Sequence, residues 1–193
     1  MHRRLQFLTV VFAFAVLFSG VFAMTTTDAS AKPILDPENT LLIDLPMGRV
    51  VIQMRPDLAP NHVARIKELA RAGFYNGLVF HRVIPGFMAQ TGDPRGDGTG
   101  GSGQKLKAEF SQAPHVRGTV SMARAASPDS ADSQFFICFA DASFLNGQYT
   151  VWGQVIEGMD YVDQIKAGSQ LNNGAVKDPT KMIKVSVAAD LKE

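Results

Sequence analysis

Cysteine is nearly absent: Cys138 is the only one in 193 residues. No internal disulfide is available, so an oxidising compartment would place no demand on the fold. Cys138 sits in the apolar run QFFICFA, where a buried core thiol is expected rather than a nucleophile. A charge excess of one sign is lacking too. Lys and Arg number 19 against 18 Asp and Glu, and without a Lys/Arg stripe there is no footprint for polyanion binding, which sets nucleic acid aside as a partner. His62, His81 and His115 have no serine or cysteine at motif spacing. No hydrolytic constellation is read, and a packing or surface role is expected for each histidine. No metal site or cofactor is expected either.

Long apolar runs are scarce, and the one that stands out is Leu5 to Ala23, LQFLTVVFAFAVLFSGVFA, behind the basic residues His2, Arg3 and Arg4. With small-residue sites at Val21-Phe22-Ala23 and Ala29-Ser30-Ala31, residues 1 to 31 read as a secretory signal and short linker, cleaved after Ala23 or Ala31. An uncleaved anchor, holding an envelope scaffold, is the rival, since the run approaches the roughly 20 residues that cross a bilayer. No cysteine follows the run, which argues against a lipoprotein anchor. Removing residues 1 to 31 takes away Arg3, Arg4 and Asp28 from the 19 basic and 18 acidic residues and leaves 17 of each. Residues 32 to 193 are then expected to form one neutral domain, periplasmic or secreted, monomeric, and off the membrane once the signal is cleaved.

What the remainder has in quantity is turns, with 17 Gly and 10 Pro in the chain. Thr40 to Leu45 and Arg49 to Met54 alternate around Pro46-Met47-Gly48 as a hairpin. Val63, Ile66, Leu69 and Ala70 share a helical face in a segment opened by Pro60 and closed by Gly73. Short runs rich in β-branched and aromatic residues follow at Leu78 to Val83, Phe87 to Gln90, Thr119 to Met122, Gln134 to Phe139, Tyr149 to Val155 and Met182 to Val187. Met159, Val162 and Ile165 mark a second short helix over Met159 to Lys166. Eight strands and two helices are too little helix for a parallel βαβ sheet. The pattern predicts a mainly β fold, an eight-stranded antiparallel closed β-barrel capped by two α-helices.

The stretch FHRVIPGFMAQTGDPRGDGTGG, Phe80 to Gly101, places one arginine among apolar residues ahead of a glycine-rich tail. GTGGSGQK lacks the Lys-Ser/Thr ending of a phosphate loop. Asp93 and Asp97 are four apart, where a calcium loop alternates its oxygen ligands. The tail therefore reads as a mobile surface loop, and Arg95-Gly96-Asp97 as a chance tripeptide. Phe, Met and Leu in strands are commonly core, whereas the Arg82 guanidinium inside an apolar strand needs a partner or a ligand.

FHRVIPGFMAQTGD, followed about 40 residues on by SQFFICFADASFLNGQYTVWG, resembles the signature regions of the cyclophilin family of peptidyl-prolyl cis-trans isomerases. The resemblance runs from the first hairpin to the last strand. It implies a capped eight-stranded barrel, and an isomerase that accelerates rotation of X-Pro bonds in unfolded or extended chains and so assists the folding of exported proteins. It implies Arg82 as the catalytic donor, a proline seat of Phe87, Met88, Phe136 and Leu145, polar contacts from Gln90 and Gln134, and a groove bordered by Ala123 and Arg124. A non-catalytic holdase or proline-peptide-binding module using the same groove is the alternative. Three positions depart from the family's eukaryotic pattern. Arg124 replaces an asparagine, which points to a prokaryotic-type member. Phe144 replaces the tryptophan of cyclosporin-sensitive members, so weak cyclosporin binding is expected, and Tyr149 replaces a histidine. Alternation across a two-residue Pro85-Gly86 turn puts Arg82 and Phe87 on one face and Met88 and Gln90 on the other, so a bulge or strong twist is expected to gather them.

Overall fold

The hairpin nearest the start of the domain sets the sheet: β1 (Thr40–Leu45) pairs antiparallel with β2 (Gly48–Met54), Leu45 opposite Gly48. The computed structural model describes residues 36–191, so the segment read as a secretory signal lies outside the described residues. Helix α1 (Pro60–Arg71) carries Pro at its start and buries Val63, Ile66, Leu69 and Ala70, the stripe that the periodicity marks. β3 (Arg82–Ile84), β4 (Met88–Thr91), β5 (Thr119–Met122), β6 (Phe135–Cys138) and β7 (Val151–Glu157) follow, then α2 (Met159–Asp163) and β8 (Lys184–Val187). The strands pair antiparallel in the order β3-β4-β6-β5-β7-β2-β1-β8.

The expected closure does not occur. β3 and β8 end the ladder without pairing to each other, so the sheet is an open, curled half-barrel. The reason lies in what occupies β3's free edge. Gly168 donates to Val83 O at 2.9 Å, Val83 to Gly174 O at 2.8 Å and Val176 to His81 O at 3.1 Å. The 168–176 segment thus takes the hydrogen bonds a neighbouring strand would use, and covers an edge that would otherwise invite pairing. Only upstream of β3 does the chain approach the far side of the sheet, where Phe80 N donates to Thr180 O at 2.9 Å and Met182 N to Leu78 O at 2.9 Å. The run Leu78 to Val83, expected as one strand, is accordingly divided between two partners.

The second helix is also shorter than the periodicity implies. Past Asp163 the bonds tighten to Gln164 N→Tyr161 O, 3.2 Å, and Ile165 N→Val162 O, 3.1 Å, a closing turn of the three-residue type.

The two sheet faces have different fates. Val83, Ala89, Ile137 and Val120 stand in one cross-strand row and point into the main core, which also takes Trp152, Phe135, Ile52 and the buried sides of α1 and α2. On the opposite face Met88, Phe136 and Cys138 form a second apolar cluster with Ala142 and Leu145. That outer cluster carries the site.

Candidate active site

Register decides which side chains meet. Arg82 lies opposite Gln90, Ile84 opposite Met88, Gln90 opposite Phe136, and Phe136 opposite Ser121. Partners across an antiparallel ladder share a face, so Arg82, Met88, Gln90 and Phe136 are gathered on the outer one. No bulge is needed, contrary to expectation. The connection between Ile84 and Met88 holds three residues, Pro85, Gly86 and Phe87, and the third restores the parity that a two-residue turn would have broken. Phe87 N closes the turn on Ile84 O at 3.0 Å, and Gly86 adopts φ 74°, a left-handed conformation that favours glycine.

These residues line an open cavity of about 250 Å³. Phe87, Met88, Phe136 and Leu145 supply an apolar floor, with Ala123 beside it. Phe144, in the turn Ser143–Leu145, stands 65 % exposed with its ring 5.4 Å from that of Phe87, as a rim rather than a floor. Tyr149 packs edge-on to Phe136 at 5.9 Å and lies under the Arg124 guanidinium at 4.6 Å. Arg82 and Gln90 complete the lining. Of the residues singled out from sequence, Gln134 alone stands outside this cavity, in a polar recess next to it.

Arg82 is held rather than free. Its Nε donates to Asn173 O and its Nη2 to Asn173 Oδ1, both at 3.0 Å, while Nη1 donates to Gln90 Oε1 at 3.0 Å. Gln90 Nε2 passes the chain on to Gln134 Oε1 at 2.9 Å, and Gln134 Nε2 donates to Gly98 O and Gly100 O at 3.0 and 2.8 Å. Burial lowers the Arg82 pKa from its ordinary value, opposed by Tyr149, and arginine remains cationic at neutral pH.

That chain also corrects the mobile-loop reading of the glycine-rich tail. Besides Gln134, the buried Asp93 accepts from the amides of Arg95, Asp97 and Gly98, and Asp132 accepts from Ser102 N and Oγ. The tail is fastened at three points.

The histidines differ from expectation in one respect. His115 is buried in packing, its ring stacked 6.2 Å from Phe136, yet it does have a serine partner: Nε2 lies 2.8 Å from Ser121 Oγ, and Nδ1 lies 3.0 Å from Asn146 Oδ1. Ser121 and His115 are both 0 % exposed, so no substrate reaches the pair, and it serves as a buttress behind the floor. Burial lowers the pKa of His115, opposed by its bond to Asn146, and burial likewise lowers that of His81. Cys138 is fully buried, its thiol pushed up to about 12 by burial. Among the described residues no three His, Cys, Asp or Glu side chains gather as a metal cage.

Asn173, Ser121 and His115 were not visible as site residues in sequence. The one available signal was the Asn172-Asn173-Gly174 triplet, a left-handed turn signature, and Asn173 does adopt φ 53°.

Comparison with known proteins identifies relatives of this architecture. Residues 40–187 match the family model for "Cyclophilin type peptidyl-prolyl cis-trans isomerase/CLD". A probable peptidyl-prolyl cis-trans isomerase of Brucella suis is 56 % identical over 192 residues, covering 93 % of this chain and 94 % of the relative. Peptidyl-prolyl cis-trans isomerase B of Bacillus subtilis is 41 % identical over 132 residues, covering 67 % of this chain and 92 % of the relative. Among solved structures, a cyclophilin from Hirschia baltica superposes with a TM-score of 0.73 at 28 % identity, over 81 % of this chain and 76 % of that one. A cyclophilin-type isomerase of Cryptosporidium parvum, crystallised in the presence of the dipeptide Ala-Pro, gives 0.70 at 26 % identity, over 77 % of this chain and 98 % of that one.

Proposed function

The chain belongs to the cyclophilin-type peptidyl-prolyl cis-trans isomerases, and from that premise we propose that Arg82 drives the rotation while Phe87, Met88, Phe136 and Leu145 seat the proline ring. The reaction breaks no bond. Rotation about an ordinary peptide bond meets a barrier of ~18–20 kcal/mol, and an X-Pro bond left alone takes tens to hundreds of seconds. As the amide twists, conjugation is lost and its nitrogen recovers a lone pair. A donor that meets the lone pair only in the twisted state lowers the barrier without tightening the ground state. Arg82 suits that task because its charge is permanent and its fork is already oriented by Asn173 and Gln90. The observation that carries the reading is the Arg82 guanidinium, oriented by Asn173 and Gln90, beside the apolar floor of an open cavity of about 250 Å³.

Losing one such donor typically costs ~10² to 10³ in rate. Arg82→Ala should therefore lower kcat/KM by that order for a proline tetrapeptide, followed by cis-trans exchange. A folded variant retaining near wild-type exchange rejects the assignment.

The substrate class we propose is proline-containing segments of unfolded or extended chains, among them exported proteins; the crystal structure of the Cryptosporidium relative in the presence of the dipeptide Ala-Pro supports it. Residues 1 to 31 support an exported, periplasmic or secreted protein that begins at Met24 or Lys32 when mature. N-terminal sequencing that finds Met1 in a membrane fraction overturns this, and sedimentation tests the proposed monomer. Arg124 and the bacterial relatives support a prokaryotic-type member. Phe144 offers no indole N–H, so inhibition by cyclosporin is expected to be weak, and nanomolar inhibition would contradict it.

A further inference from the structure

Eight arginines lie among the described residues. Arg49, Arg55, Arg65, Arg71 and Arg117 are ion-paired to carboxylates at 2.6 to 2.9 Å. Arg82, Arg95 and Arg124 have no such partner among the described residues, and two of these three, Arg82 and Arg124, border the one cavity described above, which no Asp or Glu lines. The site is thus a place where positive charge is left uncompensated in an otherwise balanced domain.

Arg124 is the more informative of the two, because the rotation mechanism does not use it. Its Nε and Nη2 donate to Gln148 O at 3.2 and 3.0 Å, and its Nη1 to Ala125 O at 2.9 Å and Ala126 O at 3.2 Å. The guanidinium also stacks over Tyr149 and faces the Phe110 ring at 5.9 Å. Carbonyl dipoles and aromatic faces fix the cation without cancelling its net charge. The same side chain lines the apolar seat, the polar recess that holds Lys105 and Gln134, and the groove that runs past Arg82 towards Asn173. A peptide whose proline occupies the seat must therefore pass it. The carboxylates of the two flanking recesses, Asp132 and Asp97, do not line the seat, and Asp132 is offset by Lys105. Asp132 accepts from Ser102 and faces Lys105 at 3.6 Å, and Asp97 accepts from Thr99.

We infer that Arg124 makes this isomerase prefer prolines with an aspartate or glutamate beside them, over prolines flanked by lysine. The inference rests on the isomerase reading of the same site and adds to it a substrate class. A fixed cation with no internal anion gains from an incoming carboxylate and repels an ammonium group, which is how charge complementarity discriminates between partners.

The test is a peptide series, Ala-Xaa-Pro-Phe and Ala-Ala-Pro-Xaa with Xaa Glu, Gln or Lys, assayed by cis-trans exchange at low and high ionic strength. The expected glutamate-to-lysine ratio in kcat/KM is about threefold to tenfold at low salt on at least one side of the proline, shrinking as salt is raised. Arg124→Gln should at least halve that ratio, and Arg124→Lys should keep it. Because the ratio is internal to each variant, a uniform loss of activity from the altered 125–126 and 148 contacts cancels. A wild-type ratio near one on both sides, or a ratio unchanged in Arg124→Gln, overturns the inference while leaving the isomerase reading intact. A wild type inert on every peptide overturns both.

Discussion

Asn173 gives Arg82 two acceptors from a single residue, and it can do so because of its backbone. At φ 53° and ψ 34° it sits in the left-handed region, which asparagine tolerates better than most residues. There both its carbonyl and its side-chain oxygen lie 3.0 Å from Arg82 donors. Gly174 beside it is equally constrained: at φ 79° any Cβ would meet Ile84 at 2.5 Å. That close approach sets the segment against β3. Asn173→Gly would keep the conformation and the backbone acceptor but delete the side-chain one. A hydrogen bond from a charged donor is worth about 1.5 to 3 kcal/mol net, at the low end for this solvent-exposed pair, so kcat should fall about tenfold with KM and Tm little changed. In an Arg82→Lys background the same substitution should have almost no further effect. An equal loss in both backgrounds would mark Asn173 as a prop for the loop alone.

Helix α1 shows how an element can be legible while its anchor is not. Pro60, the 63/66/69/70 stripe and Gly73 declare the helix in sequence, yet its N-cap residue, Ala59, has no side chain able to cap. The first-turn donors go to Glu109 instead, 48 residues away: its Oε1 accepts from Asn61 N at 3.1 Å and Asn61 Nδ2 at 2.7 Å, and its Oε2 from His62 N at 3.0 Å. His62 Nδ1 lies 2.6 Å from the same Oε2. Burial pushes the Glu109 pKa up, but these bonds from His62 and Asn61 outweigh it and hold the carboxyl below its usual range. Glu109→Ala should destabilise the fold by about 1 to 2 kcal/mol, as loss of a helix cap does, read as a lower urea midpoint with unchanged slope. An unchanged midpoint would show that the first turn is satisfied without it. The strands follow the same rule. β1 and β5 coincide with the runs read for them, because short β-branched and apolar stretches bounded by turn residues mark strands buried along most of their length. The open seam had no such signal, since it depends on distant backbone, Gly168 to Val176, lying along the free edge of β3, and Pro85-Gly86 does not reveal that Phe87 belongs to the turn rather than to the strand. The seat residues were named only through the resemblance. Taken alone, Phe87, Met88, Phe136 and Leu145 read as ordinary core, and in burial Met88 and Phe136, at 1 % and 5 % exposed, are nearly that.

Over the whole molecule, catalysis and stability should respond differently to pH. Rotation about an X-Pro bond transfers no proton, so no group needs to titrate near the working pH, and Arg82 stays charged throughout. The buried histidines nearest the site are His115, behind Phe136, and His81, whose pKa is lowered by burial and by Arg82 and raised in lesser part by Asp93 and Asp97. Both pKa values are lowered overall, so both rings take up a proton only at a lower pH than an ordinary histidine, near ~6.5, would. For a neutral peptide, kcat/KM should vary less than about threefold between roughly pH 6 and 9. A tenfold step near neutrality that vanished in His81→Ala would make a titrating histidine essential and sink the mechanism. Stability has the opposite sensitivity. In the unfolded chain these histidines take up protons as the pH falls through about 6.5, while in the folded chain uptake is displaced to lower pH, so the unfolded state is favoured from there down to their lowered folded values. Carboxylates held low by arginine partners, such as Asp57 with Arg55 and Asp163 with Arg117, add a second loss only further down, as the pH drops below the usual carboxylate range. The urea midpoint should therefore decline between about pH 6.5 and 5 while the folded fraction keeps its neutral-pH kcat/KM. A midpoint flat across that interval, or one recovered by neither His81→Gln nor His115→Gln, would place the acid lability in the carboxylates instead.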